Sequence, residues 1–295
     1  MGFAKVRLFV DQPLGPGQPV AVTDAQAHYL LSVMRLGAGS QVLLFNGVDG
    51  EWRARLDVAG RRQARLVAEE RTAPLRLPPD LWLVFAPLKK ARTDFIVEKA
   101  VELGAARILP VQTRFTNADR IRQDRLQAHA VEAAEQCGGT FVPQVDDLQP
   151  LDRLLDAWPA GRQVMWCDEH LAGKGVALAP WGAAPGGLAL QPGRAGSQGA
   201  PPHPGPLRGL TPSAPARPRS DEAAGPDRPA AAPWAILIGP EGGFAEAEQA
   251  RIRAMPGVHP VSLGPRILRA DTAAVAALTL WQAVLGDWNN GETDA

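Results

Sequence analysis

Apolar and polar positions along this chain follow two rhythms, and the change from one to the other near residue 76 divides it. Before that point, "KVRLFV", "SQVLLFNG", "EWRARLDVAG" and "QARLVAEE" are short, partly alternating runs broken by Gly, Pro, Asn and Asp, as in half-buried strands. "NGVDGEW" reads as a hairpin turn, since Asn and Gly tolerate positive φ. One helix, "DAQAHYLLSVMRLGAG", interrupts the strands, with Asp24 expected as its N-cap and Gly37 as its stop. Together these pieces predict a small β-barrel over residues 1–73.

Beyond it, strand and helix alternate: "DLWLVFAPL", "TDFIVEKAVELGA", "RILPVQT", then "DRLQAHAVEAAEQCGG" closed by Gly138 and Gly139, then "RQVMWCDEH". "WAILIG", a helix "EAEQARIRAM", "HPVSLG" and a last helix "DTAAVAALTLWQAVLGDW" follow later. In that last helix Val275, Leu278, Trp281, Val284, Leu285 and Trp288 recur at steps of three and four, an apolar face that packs on the sheet or on a second subunit. The alternation predicts an α/β domain with a mostly parallel sheet over residues 74–290, joined to the first part near Pro74, Pro78 and Pro79. Residues 191–233 break the pattern, with 11 prolines and 6 glycines in 43 positions and no Val, Ile, Phe or Trp. Such a segment buries too little apolar surface to offset its ordering entropy, so a mobile surface excursion is expected there.

Charge changes the picture little: 31 basic residues balance 31 acidic ones, so affinity for RNA must come from local patches. No apolar run reaches the ~18 residues of a membrane span, and a cytoplasmic protein without membrane contact is expected. Cys137 and Cys167 form no C-x-x-C pair; buried free thiols are expected, with neither disulfide nor metal.

Open parallel sheets bind ligands beyond the C-terminal ends of their strands, and two late loops fall there, residues 239–244 and 264–271. Neither is a G-x-x-x-x-G-K-[ST] or G-x-G-x-x-G motif, and H-E-x-x-H and G-x-S-x-G do not occur, which removes the main support for kinase, dinucleotide, zincin and hydrolase readings. In "GPEGG", Gly239, Gly242 and Gly243 permit close backbone approach, Pro240 stiffens the entry and Glu241 offers a carboxylate; an ordinary β-to-α turn would use the same residues. In "LGPRILRADTA", Arg266 and Arg269 flank Ile267 and Leu268 ahead of an N-cap expected at Asp271 or Thr272. A lone arginine pair commonly belongs to a solvated face, but two such loops at one sheet edge favour a ligand.

"LIGPEGGF" and "LGPRILRADTA", with "EKAVELGAARILPVQT", "AAEQCGG" and "HYLLSVMRLGAGSQVLLFNG", resemble the bacterial 16S ribosomal RNA uridine N3-methyltransferases of the SPOUT class, in matching order over residues 5–175 and 234–288. The resemblance implies an α/β protein: an N-terminal PUA-like β-barrel followed by a SPOUT α/β domain with a deep C-terminal trefoil knot. It also implies a homodimer acting on 16S rRNA in the small ribosomal subunit, with S-adenosylmethionine held in the knot. Carried over position by position, Ile238, Gly239, Pro240, Glu241 and Gly243 line one side of the cofactor, and Ser262, Leu263, Gly264, Ile267, Leu268 and Arg269 the other. Position 271 is Asp where many relatives carry Glu, and the 191–233 segment lengthens this chain relative to typical members.

Methylating N3 of uridine requires loss of its proton and stabilisation of the resulting anion by positioned cations. Arg269 is the first residue expected in that role, with Arg266 and Arg35 as alternates; a competing role for Arg269 is to tie its loop to Glu241 or Asp271. The proton acceptor is open between Glu241, Asp271 and water. Lys5, Arg7 and Arg35, with Lys89, Lys90 and Arg92, are expected to grip RNA, whereas the arginines of "TRFTNADRIRQDR" read equally well as a face paired to its own Asp119 and Asp124. Two rivals stand beside this function: a SPOUT enzyme acting on tRNA or another rRNA position, and a non-catalytic RNA-binding assembly factor.

Overall fold

The structure, a computed structural model, describes residues 6–60, 63–118, 120–173 and 232–289. Lys5 and all of the 191–233 segment except its last two residues lie outside the described residues. The first sheet has five strands, β1 (Arg7–Phe9), β2 (Pro19–Ala21), β3 (Gln41–Phe45), β4 (Glu51–Gly60) and β5 (Gln63–Ala73), in the order β1-β3-β4-β5-β2. The β3–β4 hairpin forms where the Asn-Gly signal predicts it, and Asn46 Oδ1 accepts bonds from the Val48 and Asp49 amides inside the turn. No pairing among the described residues joins β1 to β2, so the expected barrel is an open sheet. It curls nonetheless, because Leu8 on one edge strand and Val20 on the other are buried in one cluster with Leu30, Val42, Leu44 and Leu56.

Leu30 reaches that cluster from the helical segment, which differs from expectation at both ends. Thr23, not Asp24, caps α1 (Asp24–His28): its Oγ1 accepts from the Gln26 amide at 3.2 Å while the Gln26 side chain accepts from the Thr23 amide at 3.0 Å. The helix then widens into a π-helical turn, Tyr29–Val33, and stops short of Gly37 because Arg35 itself turns to a φ of 53°.

The second sheet holds β6 (Leu81–Phe85), β7 (Arg107–Gln112), β8 (Gln144–Val145), β9 (Gln149–Pro150), β10 (Gln163–Cys167), β11 (Trp234–Ile238) and β12 (Val258–Val261). Its order is β12-β10-β11-β6-β7-β8, with β9 also on β7, and every pair is parallel. Helices α2 (Lys90–Glu102), α3 (Gln123–Cys137) and α6 (Ala270–Val284) bury Ile96, Ala130 and Trp281 against one face; α4 (Leu151–Asp156) and α5 (Glu246–Ala254) bury Leu155 and Ile252 against the other. Central strands covered on both faces read as unbroken apolar runs, which is why "WAILI" carries no alternation. Gly138 ends α3 at a φ of 82°, as its position predicts.

The two sheets are tied by Arg7. Its Nε donates to Glu51 at 2.7 Å, its Nη1 to the carbonyls of Ala134 and Glu135 at 2.7 and 3.1 Å, and its Nη2 to that of Gly139 at 3.0 Å. The guanidinium also lies 4.7 Å from the centre of the Phe45 ring.

α6 packs on α2 and on the sheet, burying Ala273, Ala274, Ala277, Leu278 and Trp281, while Trp288 beyond its end is half exposed. Its N-cap residue is Arg269; Asp271 and Thr272, where the sequence pattern expected the cap, lie within the first turn, and Asp271 accepts from the Thr272 amide. Within the buried face stands one polar side chain, Gln282. Its Nε2 donates to the Leu103 carbonyl at 2.8 Å, and its Oε1 accepts from the Asp287 amide at 3.2 Å. Replacing Gln282 by Leu takes that partner from two backbone groups that are only part-buried, at a cost of about 0.5–1.5 kcal/mol per bond. The expected result is a lower urea midpoint at unchanged slope; an unchanged midpoint would refute the latch role.

Candidate functional site

Strands β12, β10 and β11 end side by side, Cys167 opposite Val261 and Trp166 opposite Leu237, and the loops leaving them enclose a cavity of ≈ 240 Å³. Ile238, Gly239, Pro240 and Glu241 form one wall; Leu263, Gly264, Ile267, Leu268 and Arg269 form the opposite one, with Arg266 beside them. The structure thus brings together the two loops that sequence reasoning singled out. Two residues expected on the walls are not there. Ser262 is 2 % exposed and its hydroxyl donates to the Gly264 carbonyl at 3.1 Å, so it shapes the loop from behind. Gly243 is turned toward the next loop of the sheet.

The glycines of "GPEGG" serve the protein's own side chains more than an approaching ligand. A Cβ on Gly239 would stand 2.8 Å from the Phe244 ring, and one on Gly242 would stand 3.3 Å from Phe115 Cβ. One on Gly243, whose φ is +71°, would meet the Glu169 carboxylate at 2.3 Å. Gly264 is different: its φ of +122° demands glycine, and no heavy atom lies within 4 Å of where its Cβ would be. Its bare face opens on the cavity it lines.

Sequence reasoning missed the third wall. Glu169 and Ala172 come from the turn after β10, and Cys167 and Asp168 from the strand's end. The signal available was the one used for the other two loops, the C-terminal end of a parallel strand, here "CDEH". Asp168 is 4 % exposed and fully engaged: Oδ1 accepts from the His170 amide and from His170 Nδ1 at 2.9 Å, and Oδ2 accepts from Arg253 at 3.2 Å. The three side chains of Asp168, Glu169 and His170 crowd within 4.8 Å, with Asp168 and His170 hydrogen-bonded to each other and Glu169 4.0 Å from His170. Cys167 is buried, which pushes its thiol pKa far up and keeps it protonated. Cys137, expected to be buried too, is exposed on the last turn of α3.

Ion pairing decides between the roles open to the arginines. Glu241 pairs with Arg92 at the start of α2, and Asp271 is bonded to Thr272. Among the described residues neither Arg266 nor Arg269 makes an ion pair, so Arg269 lines the cavity as a cation free to meet a ligand. Arg92 is correspondingly bound to the glycine turn. Lys89, Lys90 and Arg35 are exposed.

Arg7 is the clear correction among the residues expected to grip RNA. All of its donors named above face inward and its side chain is only 13 % exposed. Arg7→Ala should therefore lower the melting temperature and leave RNA affinity almost unchanged, a split that thermal unfolding and a filter-binding titration read separately. A loss of RNA affinity with no loss of stability would restore the original expectation.

Residues 75–185 and 216–282 match the model of the RNA methyltransferase domain, and residues 22–69 match that of the RNA methyltransferase PUA domain. The chain is 23 % identical to the ribosomal RNA small subunit methyltransferase E of Rickettsia conorii, over 92 % of this chain and 93 % of that one. With the protein of the same name from Mycobacterium bovis the identity is 28 %, over 97 % and 95 %. Among solved structures, the ribosomal RNA small subunit methyltransferase E of Neisseria gonorrhoeae bound to S-adenosyl methionine superposes with a TM-score of 0.71 at 25 % identity, covering 96 % of this chain and 99 % of that one. The curled sheet at the start of the chain is thus PUA-like, the cavity falls within the matched catalytic domain, and the chain belongs to the RNA methyltransferase family.

Proposed function

We propose that the protein uses S-adenosylmethionine to methylate N3 of one uridine in the 16S rRNA of the small ribosomal subunit. The observation that carries this reading is the cavity at the ends of β10, β11 and β12: three loops around apolar walls, with Arg269 unpaired at its edge. The donor set suits the cofactor. Ile238, Leu263 and Leu268 offer apolar faces to an adenine ring, Gly264 leaves a bare backbone for close approach, and Glu169 and Glu241 offer carboxylates to the cofactor's positive centres. Bound there, S-adenosylmethionine supplies an electrophilic methyl group on its sulfonium.

The chain's own residues supply the rest. Arg269 faces the uracil as its N3 proton leaves and stabilises the charge shared by O2 and O4 through charge-assisted hydrogen bonds. Glu241 is held by Arg92, which favours a binding role for it over proton transfer. Glu169, which lies 4.0 Å from His170, is a further carboxylate of the cavity, on its third wall.

We read residues 1–73 as the RNA-gripping domain and residues 74–290 as the catalytic one. A trefoil knot formed by the last segment is part of this reading. It is supported by the seating of β10 between β12 and β11, and by the Gly173 amide donating to the Gly264 carbonyl at 3.1 Å, one loop against the other. A homodimer working in the cytoplasm completes it; among the described residues no helix is long and apolar enough to cross a membrane.

Incubating the protein and cofactor with unmodified small subunits, then mapping the RNA by primer extension, tests the reading. A methyl on N3 blocks pairing and halts the polymerase, so a new stop at a single uridine is expected. No stop on subunits or on free rRNA, with cofactor binding established, would refute the ribosomal assignment and favour tRNA or another RNA.

A further inference from the structure

A second hollow, of ≈ 250 Å³, lies on the same edge of the parallel sheet, between the loop after β6 and the loop after β7. Leu88, Ile121 and Leu126 make its floor apolar, and Lys89, Lys90 and Arg120 stand around it. Arg125 and Arg122, also on its rim, are neutralised by Asp94 and Asp124. Lys89, Lys90 and Arg120 are exposed and have no ion-pair partner among the described residues, so the hollow carries a local positive charge in a chain whose net charge is zero. The frame is rigid: Thr93, 4 % exposed, donates to the Leu88 carbonyl and accepts from the Leu88 amide, both at 2.9 Å.

Phe115 belongs to the same loop as Arg120 and is 47 % exposed. It leans on Gly242 of the glycine turn, and the Arg114 amide beside it donates to Glu248 of α5 at 2.8 Å. Arg92, from the first turn of α2, reaches the same turn through Glu241. A continuous rim therefore runs from the hollow, past an exposed aromatic ring, to the wall of the cofactor cavity. Cations for phosphates, an apolar floor and an exposed ring for a base are the chemistry that holds single-stranded nucleic acid.

We infer that this hollow and Phe115 seat nucleotides of the substrate RNA next to the one that is methylated, with phosphates on Lys89, Lys90 and Arg120 and a base stacked on Phe115. The inference rests on the RNA methyltransferase reading above. It also separates the arginines of residues 114–125: Arg120 contacts RNA, whereas Arg122, paired with Asp124, does not.

The test uses the full chain and a fluorescent fragment of small-subunit rRNA, titrated at several salt concentrations. The triple variant Lys89→Ala, Lys90→Ala, Arg120→Ala should flatten the slope of log affinity against log salt by about 2, at ~0.7 per phosphate contact on a single strand. Phe115→Ala should weaken binding by about tenfold to a hundredfold at every salt concentration, and Phe115→Trp should restore it. Arg122→Ala should change neither quantity, and calorimetric affinity for S-adenosylmethionine should be the same in all variants, which certifies their folds. Wild-type slope and affinity in the triple variant and in Phe115→Ala would overturn the inference, and if the wild-type protein still methylates the RNA the function stands without it. Reduced binding by both variants, with no methyl transfer even by the wild type, would uphold the site and remove the catalytic reading. A wild-type protein that binds no RNA would overturn both.

Discussion

Arg269→Ala is expected to slow methyl transfer by about tenfold to a hundredfold, the kinetic equivalent of losing a charge-assisted hydrogen bond of about 1.5–3 kcal/mol. The expectation comes from pairing: the two acids considered as ties for its loop, Glu241 and Asp271, are bonded elsewhere, and Arg269 lines the cavity without an ion-pair partner among the described residues. A residue that merely held the loop would, when removed, lower cofactor affinity together with rate. A residue that stabilises the uracil anion lowers kcat and leaves cofactor affinity nearly intact. Single-turnover rates and calorimetry on the same variant separate the two, and Arg269→Lys, which keeps charge but loses the fork of donors, should fall between. A rate unchanged in Arg269→Ala would transfer the role to Arg266, the other unpaired arginine of the cavity.

The second large effect is expected at Gly239. An alanine there places its Cβ 2.8 Å from an edge carbon of the Phe244 ring, which is 4 % exposed and packed edge-on against Trp166 with ring centroids 6.2 Å apart. The ring cannot yield without disturbing the core on that face of the sheet, so the glycine turn moves instead. Overpacking of this kind costs about 1–3 kcal/mol, and because the turn is a cavity wall, cofactor affinity should fall by about fivefold to a hundredfold. The compensating change is specific: Phe244→Leu in the Gly239→Ala background removes the overlap and should recover much of the affinity. A double-mutant cycle with no coupling between the two positions would show that the turn and the ring are independent.

What the sequence revealed, and what it hid, follows from the length of each signal. The long periodic helices α3 and α6, and the unbroken apolar runs β6 and β11, lie where their pattern puts them. β8 and β9 have two residues each and β2 three, too few for any period to register, and α4 is held by Leu151, Leu154 and Leu155 against a sheet that only the tertiary fold supplies. Helix starts moved by a residue or two because a cap is a local hydrogen bond: Thr23 outcompeted Asp24 once Gln26 answered it. In the site, two of three loops were legible because they carry glycines and arginines in an unusual order. The third, with Glu169, looks like any acidic strand end, and only its register beside Val261 and Leu237 brings it to the cavity. Arg7 shows the opposite limit. A basic residue on a short strand is indistinguishable in sequence from an RNA contact, and its inward role depends on carbonyls more than a hundred residues away, at Ala134 and Gly139.

The order in which the walls of the cavity occur along the chain has a consequence during protein synthesis. β12 pairs with β10, and α6 lies over α2, so the last elements complete surfaces laid down much earlier. The first sheet and β6 to β9 can condense while the polypeptide is still emerging, whereas β10 gains its strand partners only with β11 and β12, since chains fold from the N-terminus as they are made. Residues 263–269, which form a full wall of the cavity, come only afterwards. A nascent chain therefore has no closed cofactor site, and the first S-adenosylmethionine molecule it can hold arrives only after α6 has left the exit tunnel and docked.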